Sequence, residues 1–327
     1  MSGLYPIKFN PIFHEKIWGG NRMKTILNKD YGNLANCGES WELSGVEGNI
    51  SVVSNGFLAG NDLNEIIEIY MGDLVGDKVY EKFGVEFPLL IKFIDAQDDL
   101  SIQVHPDDKL SKKRHNAYGK TEMWYVAGTE EGALINSGFN QEVSREKYLE
   151  YFNGGKLTDL LHYDEAKVGD VFFIPAGRVH AIGKGCLVAE IQQTSDVTYR
   201  IFDYNRKDDK GNERELHTDL ALDAIDFSYA SEYKTNYTIE ENKAVELVSC
   251  PYFTTNIIEF TEEIEKDYNN LDSFVIYMTM DGSFDIVTDE GSETIEMGET
   301  VLIPASLDLI QLKPNSESVK IMEVYIK

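Results

Sequence analysis

Four residues in the first part of the chain are of types that bind divalent metal ions in proteins. Gln103 and His105 lie two residues apart in a run that alternates in the manner of a β-strand. Because residues i and i+2 of a strand project to the same face, these two side chains can converge on one ion. Glu122 begins the next strand-like run, and His180 follows a turn that contains proline and glycine. Together they form a mixed nitrogen and oxygen set that suits a borderline cation such as zinc.

A short internal repeat singles out His180. Residues 169–176 read GDVFFIPA and residues 298–305 read GETVLIPA, which indicates two related β domains. The first copy continues to His180, whereas the second has Leu309 at the matching place. We therefore expect His180 to do something other than support the scaffold, and we expect the second domain to lack the metal site.

The elements that must position these residues are mainly strands. Short runs rich in Val, Ile, Phe and Tyr, bounded by turn residues, predict the strands Leu89–Ala96, Met123–Ala127, Asp170–Pro175, Leu187–Gln192, Ser273–Met280 and Thr300–Pro304. Strands that follow strands, with helices inserted between them, favour a β-sandwich or barrel over a doubly wound α/β sheet.

Helical periodicity is confined to a few patches. With Asn61 as the expected N-cap, apolar residues at i, i+3, i+4 and i+7 from Leu63 predict a helix. Weaker helical patterns cover Ser144–Tyr151, Lys156–His162 and Glu215–Phe227. The acidic segment Ser231–Asn242 is the expected junction between a metal-binding domain with helical insertions, residues 1–230, and a second metal-free β domain, residues 231–327.

Composition limits the possible partners. The 327 residues include 30 Lys and Arg and 57 Asp and Glu, a net charge of −27 that would repel nucleic acid and anionic membranes. Three widely spaced cysteines, no signal-peptide pattern and no long apolar run predict a soluble cytoplasmic protein with free thiols. Every arginine precedes residue 215. We therefore expect the basic residues of the first domain to gather around the metal site, where an anionic substrate could bind.

Several sequence blocks resemble known families. The spacing from Gly169 to His180 resembles a motif of the cupin superfamily, whose histidine binds a metal ion on a small jelly-roll barrel. More specifically, the chain is similar to type I mannose-6-phosphate isomerases of the short bacterial form. The blocks that carry this resemblance are residues 18–20, 38–44, 88–96, 100–108, 119–125, 175–183 and 190–200.

The resemblance implies a mainly β protein with two cupin-like jelly rolls that interconverts mannose 6-phosphate and fructose 6-phosphate through a cis-enediol. It implies one zinc ion per chain, held by Gln103, His105, Glu122 and His180. Arg200 would be the active-site arginine. The oligomeric state stays open.

Further residues near these blocks are candidates for catalysis or substrate binding. Lys120 and Glu190 could move protons. Lys92 stands in an apolar run, where an unpaired ammonium is costly, so it needs either a structural ion-pair partner or a substrate. Lys92 and Arg200 could bind a phosphate, and Trp18 could line a sugar site or simply pack in the core.

Two other classes of protein compete with the isomerase. One is a cupin that binds a sugar without chemistry, for which loss of Lys120 or Glu190 would have no kinetic effect. The other is a metal-dependent cupin oxygenase, which would prefer iron and a histidine-rich ligand set. Gln103 fits that set poorly.

Overall fold

A computed structural model of the chain describes residues 3–207, 210–289 and 291–327. The first strands are β1 (Ile7–Asn10), β2 (Ile12–Gly20), β3 (Cys37–Ser44), β4 (Val52–Val53), β5 (Leu89–Ala96), β6 (Ile102–Val104), β7 (Glu122–Thr129), β8 (Leu134–Phe139), β9 (Leu161–Glu165), β10 (Val171–Ile174), β11 (His180–Ile182), β12 (Cys186–Gln193) and β13 (Tyr199–Phe202). The later strands are β14 (Lys243–Ser249), β15 (Thr254–Phe260), β16 (Ile264–Asp267), β17 (Val275–Asp281), β18 (Phe284–Thr288), β19 (Gly291–Ile295), β20 (Thr300–Ile303), β21 (Leu309–Pro314) and β22 (Val319–Tyr325). The α-helices are α1 (Arg22–Thr25), α2 (Leu63–Tyr70), α3 (Gly72–Val75), α4 (Asp77–Phe83), α5 (Asp108–His115), α6 (Arg145–Asn153) and α7 (Thr218–Ala224), and Leu157–Leu160 form a 3-10 helix.

The described strands form four antiparallel sheets stacked in layers. A five-stranded sheet, β13-β6-β11-β8-β9, packs against a six-stranded sheet, β10-β7-β12-β5-β2-β3. The other face of the six-stranded sheet packs against a seven-stranded sheet, β14-β15-β22-β17-β20-β1-β4. That sheet in turn covers the four-stranded sheet β16-β21-β18-β19. The mainly β, cupin-like architecture expected from the sequence is confirmed.

The six-stranded sheet lies between two others, which explains the composition of its central strands. All eight residues of β5 and all eight of β12 are buried. Alternate residues serve the two faces, so Ile91 and Ile191 join the core shared with the seven-stranded sheet, whereas Ile94 and Val188 join the core shared with the five-stranded sheet. A strand buried on both faces reads as a continuous apolar run, as these do.

Local predictions for the strands agree closely with the structure. The strand predicted at Leu89–Ala96 has those bounds, and the other five named strands are present with their ends shifted by one or two residues. The helix predicted from 144 is α6, and the pattern from Glu215 contains the shorter α7.

Two helical predictions were wrong in detail. The N-cap of α2 is Asp62 rather than Asn61, because the Asp62 carboxylate accepts the Glu65 N–H while the Glu65 side chain accepts the Asp62 N–H. The stretch 156–162 is not an α-helix. It forms one 3-10 turn and then enters β9, whose backbone pairs with β8 at the edge of the five-stranded sheet.

The N-terminal strands extend the seven-stranded sheet. β1 pairs with β20, placing Ile7 opposite Leu302, and β4 pairs with β1. Residues 7–10 and 52–53 therefore share a sheet with strands of the last third of the chain. The division into domains at 230 and 231 stays a prediction. Within the described ranges, no helix has both the length and the apolar character that crossing a membrane requires.

Candidate active site

Period-two alternation places four polar side chains on the inner face of the six-stranded sheet. Glu122 and Trp124 lie on β7, Glu190 lies on β12 and Lys92 lies on β5. The strand register sets Glu190 directly opposite Lys92 on one side and opposite Trp124 on the other. Since side chains two residues apart on a strand share a face, the sequence and this pairing bring the four groups together.

The facing five-stranded sheet supplies the rest of the site. Gln103 on β6 pairs with His180 on β11 and with Arg200 on β13. His105 follows β6 directly, so it projects from the same end as Gln103. The four residues predicted to bind a metal ion thus come from two sheets that face each other across one core.

The structure brings His105, Glu122 and His180 together in a buried group that could hold a metal ion. One candidate ligand atom from each residue lies within 4.8 Å of the others. The Glu122 carboxylate is 3.4 Å from Nε2 of each imidazole, and it is fully buried. The side-chain amide of Gln103 is 3.2 Å from Nε2 of His180. These separations leave the groups in contact around a common centre.

Hydrogen bonding orients both imidazoles toward that centre. Nδ1 of His105 lies 3.0 Å from the Val197 carbonyl, and Nδ1 of His180 lies 2.8 Å from the Arg178 carbonyl. A carbonyl only accepts, so each Nδ1 carries the proton and each Nε2 presents a lone pair inward. Burial lowers the pKa of His105 to about 3 and also lowers the pKa of His180, which keeps both rings neutral.

Unpaired buried atoms show that the residues present fit a cation. Nε2 of His105 and both carboxylate oxygens of Glu122 are buried and form no hydrogen bond with the described residues, although Glu122 Oε2 has an ion-pair contact with Lys120. Such atoms are costly unless something pairs with them. Burial alone would raise the pKa of Glu122, but the Lys120 ammonium, 3.2 Å away, holds it well below its usual range.

Beside the metal-ligand group lies a buried cluster of charges. Lys92 Nζ is 2.8 Å from Glu190 Oε1, Lys120 Nζ is 3.9 Å from the same oxygen, and the Trp124 indole N–H donates to Glu190 Oε2 at 2.6 Å. Burial and the negative charge of Glu122 raise the pKa of Glu190, and the two lysines oppose that rise. Lys92 therefore has the structural ion-pair partner that its apolar surroundings require.

A cavity of about 470 Å³ opens onto this cluster. Gln103, Lys92, Lys120 and Glu190 line it, so the buried metal-ligand group lies behind its floor. Trp18 lines the cavity and also packs in the core between the two sheets. The two alternatives expected for it, cavity lining and core packing, are therefore both observed.

Part of the cavity lining is basic. Arg200 and Arg214 line it, and Arg206 lies close by. Asp203 pairs with both Arg206 and Arg214. The Arg200 guanidinium donates to the Glu215 carbonyl, and its Nε forms no hydrogen bond with the residues that the structure describes. Arg206 also contacts Asp98 at 3.7 Å. Among the described residues, Arg200 is therefore the guanidinium of this group without a carboxylate partner, and its positive charge suits an anionic group.

Sequence reasoning missed several residues of this cavity. Arg214 and Lys16 line it, yet only their charge distinguished them along the chain. Glu39 also lines it; it lies in block 38–44 of the family resemblance, but no role was assigned to it. The carboxylate of Glu39 is held by Lys16 at 3.5 Å and accepts from the Trp41 indole at 2.8 Å. Although burial opposes it, Lys92 and Lys16 lower the pKa of Glu39 to about 2.

The layered β fold and the buried histidine and glutamate group define a cupin-type protein with a candidate metal site. A model of the type I phosphomannose isomerase catalytic domain matches residues 7–135. Mannose-6-phosphate isomerase ManA from Bacillus subtilis is 33% identical over 96% of this chain and 98% of its own length. Mannose-6-phosphate isomerase from Streptococcus mutans is 38% identical over 76% of this chain and 77% of its own.

A solved structure agrees with these relatives. The crystal structure of the mannose 6-phosphate isomerase from Bacillus subtilis has 31% identity and a TM-score of 0.88, and the match covers 99% of this chain and all of that one. The chain belongs to the type I mannose-6-phosphate isomerase family.

Proposed function

We propose that this protein is a zinc-dependent isomerase that interconverts mannose 6-phosphate and fructose 6-phosphate. The observation that carries the proposal is the meeting of Lys120 and Glu190 with the metal-ligand group at the floor of one cavity, in a chain of this family. Family membership supports an isomerase over a sugar-binding module or an oxygenase.

Gln103, His105, Glu122 and His180 would hold the zinc ion. Two neutral imidazoles, one carboxylate and one amide are ligand types that zinc accepts in catalytic sites. When bound, zinc acts as a Lewis acid that stabilises negative charge developing on substrate oxygens.

The substrate would lie with its phosphate near the arginines and its reacting carbons near Glu190. Arg200 and Arg214 would bind the phosphate, since they line the cavity and supply positive charge to it. Lys92 would act mainly by holding Glu190 in place, because its ammonium is already paired with that carboxylate.

Glu190 and Lys120 would carry the protons. In the open-chain sugar, the Glu190 carboxylate takes the proton from C2 of the aldose, leaving a cis-enediol, and returns it to C1 to give the ketose. The hydroxyl proton on O2 is lost and O1 gains one, a transfer for which the Lys120 ammonium, 3.9 Å from Glu190, is placed. A raised pKa suits Glu190 to this work because it must both accept and release a proton near neutral pH.

The test combines metal analysis with a coupled assay for fructose 6-phosphate. Purified protein should contain about one zinc per chain, lose activity with a chelator and regain it with zinc. His180→Ala should lose both metal and activity, whereas His162→Ala, whose ring contacts Asp164 outside the cavity, should keep both. Full activity in metal-free protein would refute the zinc dependence. A folded, zinc-loaded protein without isomerase activity would refute the reaction.

A further inference from the structure

A second cavity, of about 550 Å³, lies apart from the candidate active site. It is bounded by α4, α5 and the chain around Tyr118, with Tyr252 closing one side. It shares no lining residue with the first cavity. Its volume falls within the range of about 300–1,000 Å³ that small-molecule sites occupy.

Three aromatic rings form the apolar part of the second cavity. The rings of Phe83 and Tyr118 are tilted with their centroids 6.0 Å apart, and Tyr252 comes from the turn between β14 and β15. Both tyrosine hydroxyls are already occupied, since Tyr118 donates to Glu86 at 3.1 Å and Tyr252 donates to Asp108 at 2.8 Å. The rings therefore offer their carbon surfaces to the cavity, which suits an aromatic or other flat apolar body.

The lining also carries three lysines, Lys82, Lys109 and Lys112. In the part of the chain that the structure describes, none of them forms an ion pair, and Lys82 lies over the ring of Phe83. The lining acid, Asp108, is saturated by neutral donors: Oδ1 accepts from the Gly119 N–H and from Gln193, and Oδ2 accepts from Tyr252.

Cations grouped around an apolar cavity stand out in a chain of net charge −27. Unpaired ammonium groups on the lining raise the local concentration of anions, and apolar walls favour a ligand with little other polar surface. A neutral hydrophobic ligand would not use the lysines.

We propose that this second cavity binds a small amphipathic anion, with an aromatic body against Phe83, Tyr118 and Tyr252 and one carboxylate or sulfonate near the lysines. The site is distinct from the isomerase site, and binding there does not depend on the metal-ligand group.

The fluorescent aryl sulfonate 8-anilinonaphthalene-1-sulfonate tests the proposal on the intact protein. We expect one saturable site per chain, unaffected by saturating fructose 6-phosphate and weakened by added salt. Lys109→Gln with Lys112→Gln should weaken binding about fivefold, because each lost surface charge removes a modest attraction. Lys113→Gln is the matched control on the same helix, since Lys113 does not line the cavity, and it should leave affinity unchanged.

A second variant tests the apolar part. Ala117 lines the cavity, so the larger ring of Ala117→Phe should occupy part of it and weaken binding at least about tenfold, with isomerase activity unchanged. Competition by fructose 6-phosphate would place the probe in the first cavity and overturn the proposal. Equal affinity in the double lysine variant and in Lys113→Gln would also overturn it, and this comparison needs only surface changes that preserve folding.

Discussion

Replacing Lys92 by methionine should destabilise the protein, because the buried carboxylate of Glu190 loses its nearest cation. The two charged atoms are 2.8 Å apart, and the side chains are only 7% and 3% exposed. At that distance and an effective dielectric of ~20, Coulomb's law gives an attraction of ~6 kcal/mol. Methionine keeps an unbranched apolar stem in place, so the main change is the loss of charge.

Protonation of Glu190 limits the free energy of unfolding that K92M can lose. From an ordinary carboxyl pKa of about 4.3, neutralising Glu190 at pH 7 costs at most about 3.7 kcal/mol. Burial already raises the pKa of Glu190, and Lys120 and the Trp124 indole stay beside it. We therefore expect K92M to lower the free energy of unfolding by about 2–3 kcal/mol at pH 7, slightly less than is typical when one partner of a buried pair is removed.

The loss should depend on pH in a defined direction. In K92M the folded protein holds the pKa of Glu190 further above its value in the unfolded chain. The penalty is then fully present at high pH and fades as the pH falls toward the unfolded carboxyl pKa. At about pH 5.5, neutralising Glu190 costs at most about 1.6 kcal/mol, so K92M cannot lose more unfolding free energy than this through the unpaired carboxylate.

Urea unfolding followed by tryptophan fluorescence, with chelator in every sample, measures this effect at pH 7 and about pH 5.5. The double variant K92M/E190Q is the control, because the amide oxygen introduced by E190Q would still accept from the Trp124 indole while no buried charge is left unpaired. It should be more stable than K92M at pH 7. An equal loss at both pH values, or a double variant no more stable than K92M, would refute the reasoning.

Two further predictions concern the arginines that pair with Asp203 and the buried carboxylate of Glu323. Asp203→Asn removes the carboxylate that holds Arg206 and Arg214. In steady-state assays, KM for the phosphosugar should therefore change by about fivefold or more, with a smaller effect on kcat. An unchanged KM would contradict this prediction. Glu323→Ala removes a buried carboxylate that lies 2.7 Å from the Lys266 ammonium. It should lower the free energy of unfolding, measured in urea, by about 3 kcal/mol. The kcat/KM of the folded fraction should nevertheless match that of the parent protein. A loss of kcat/KM in Glu323→Ala would show that packing between the seven-stranded and four-stranded sheets affects the site.

Much of the candidate site was predictable because it depends on local chemistry. Gln103 and His105 share a strand face through their spacing alone, and His180 stood out because the second repeat lacks a histidine. The structure brings them together with Glu122, as expected. Their roles as zinc ligands stay predictions, as do the catalytic roles of Lys120, Glu190 and Arg200.

The expected gathering of basic residues was predictable only in outline. Charge counting along the chain indicated that cations should surround the site, and Lys16, Lys92, Lys120, Arg200 and Arg214 do line the cavity. Nothing in the sequence distinguished Arg214, which lines the cavity, from Arg206, because both are arginines that pair with Asp203 only in the folded protein.

The sequence by itself determined the strands, their inward faces and the residue types available for a metal site, because these follow from a repeat of two residues and from side-chain chemistry. Only the tertiary structure decided which strands pair and which sheets face each other. It set Glu190 opposite Lys92, brought β1 beside β20 and buried the six-stranded sheet between two others. The physical reason is range: alternation is a property of neighbouring residues, whereas strand pairing joins segments up to about 300 residues apart, whose partners are selected by the packing of the whole core.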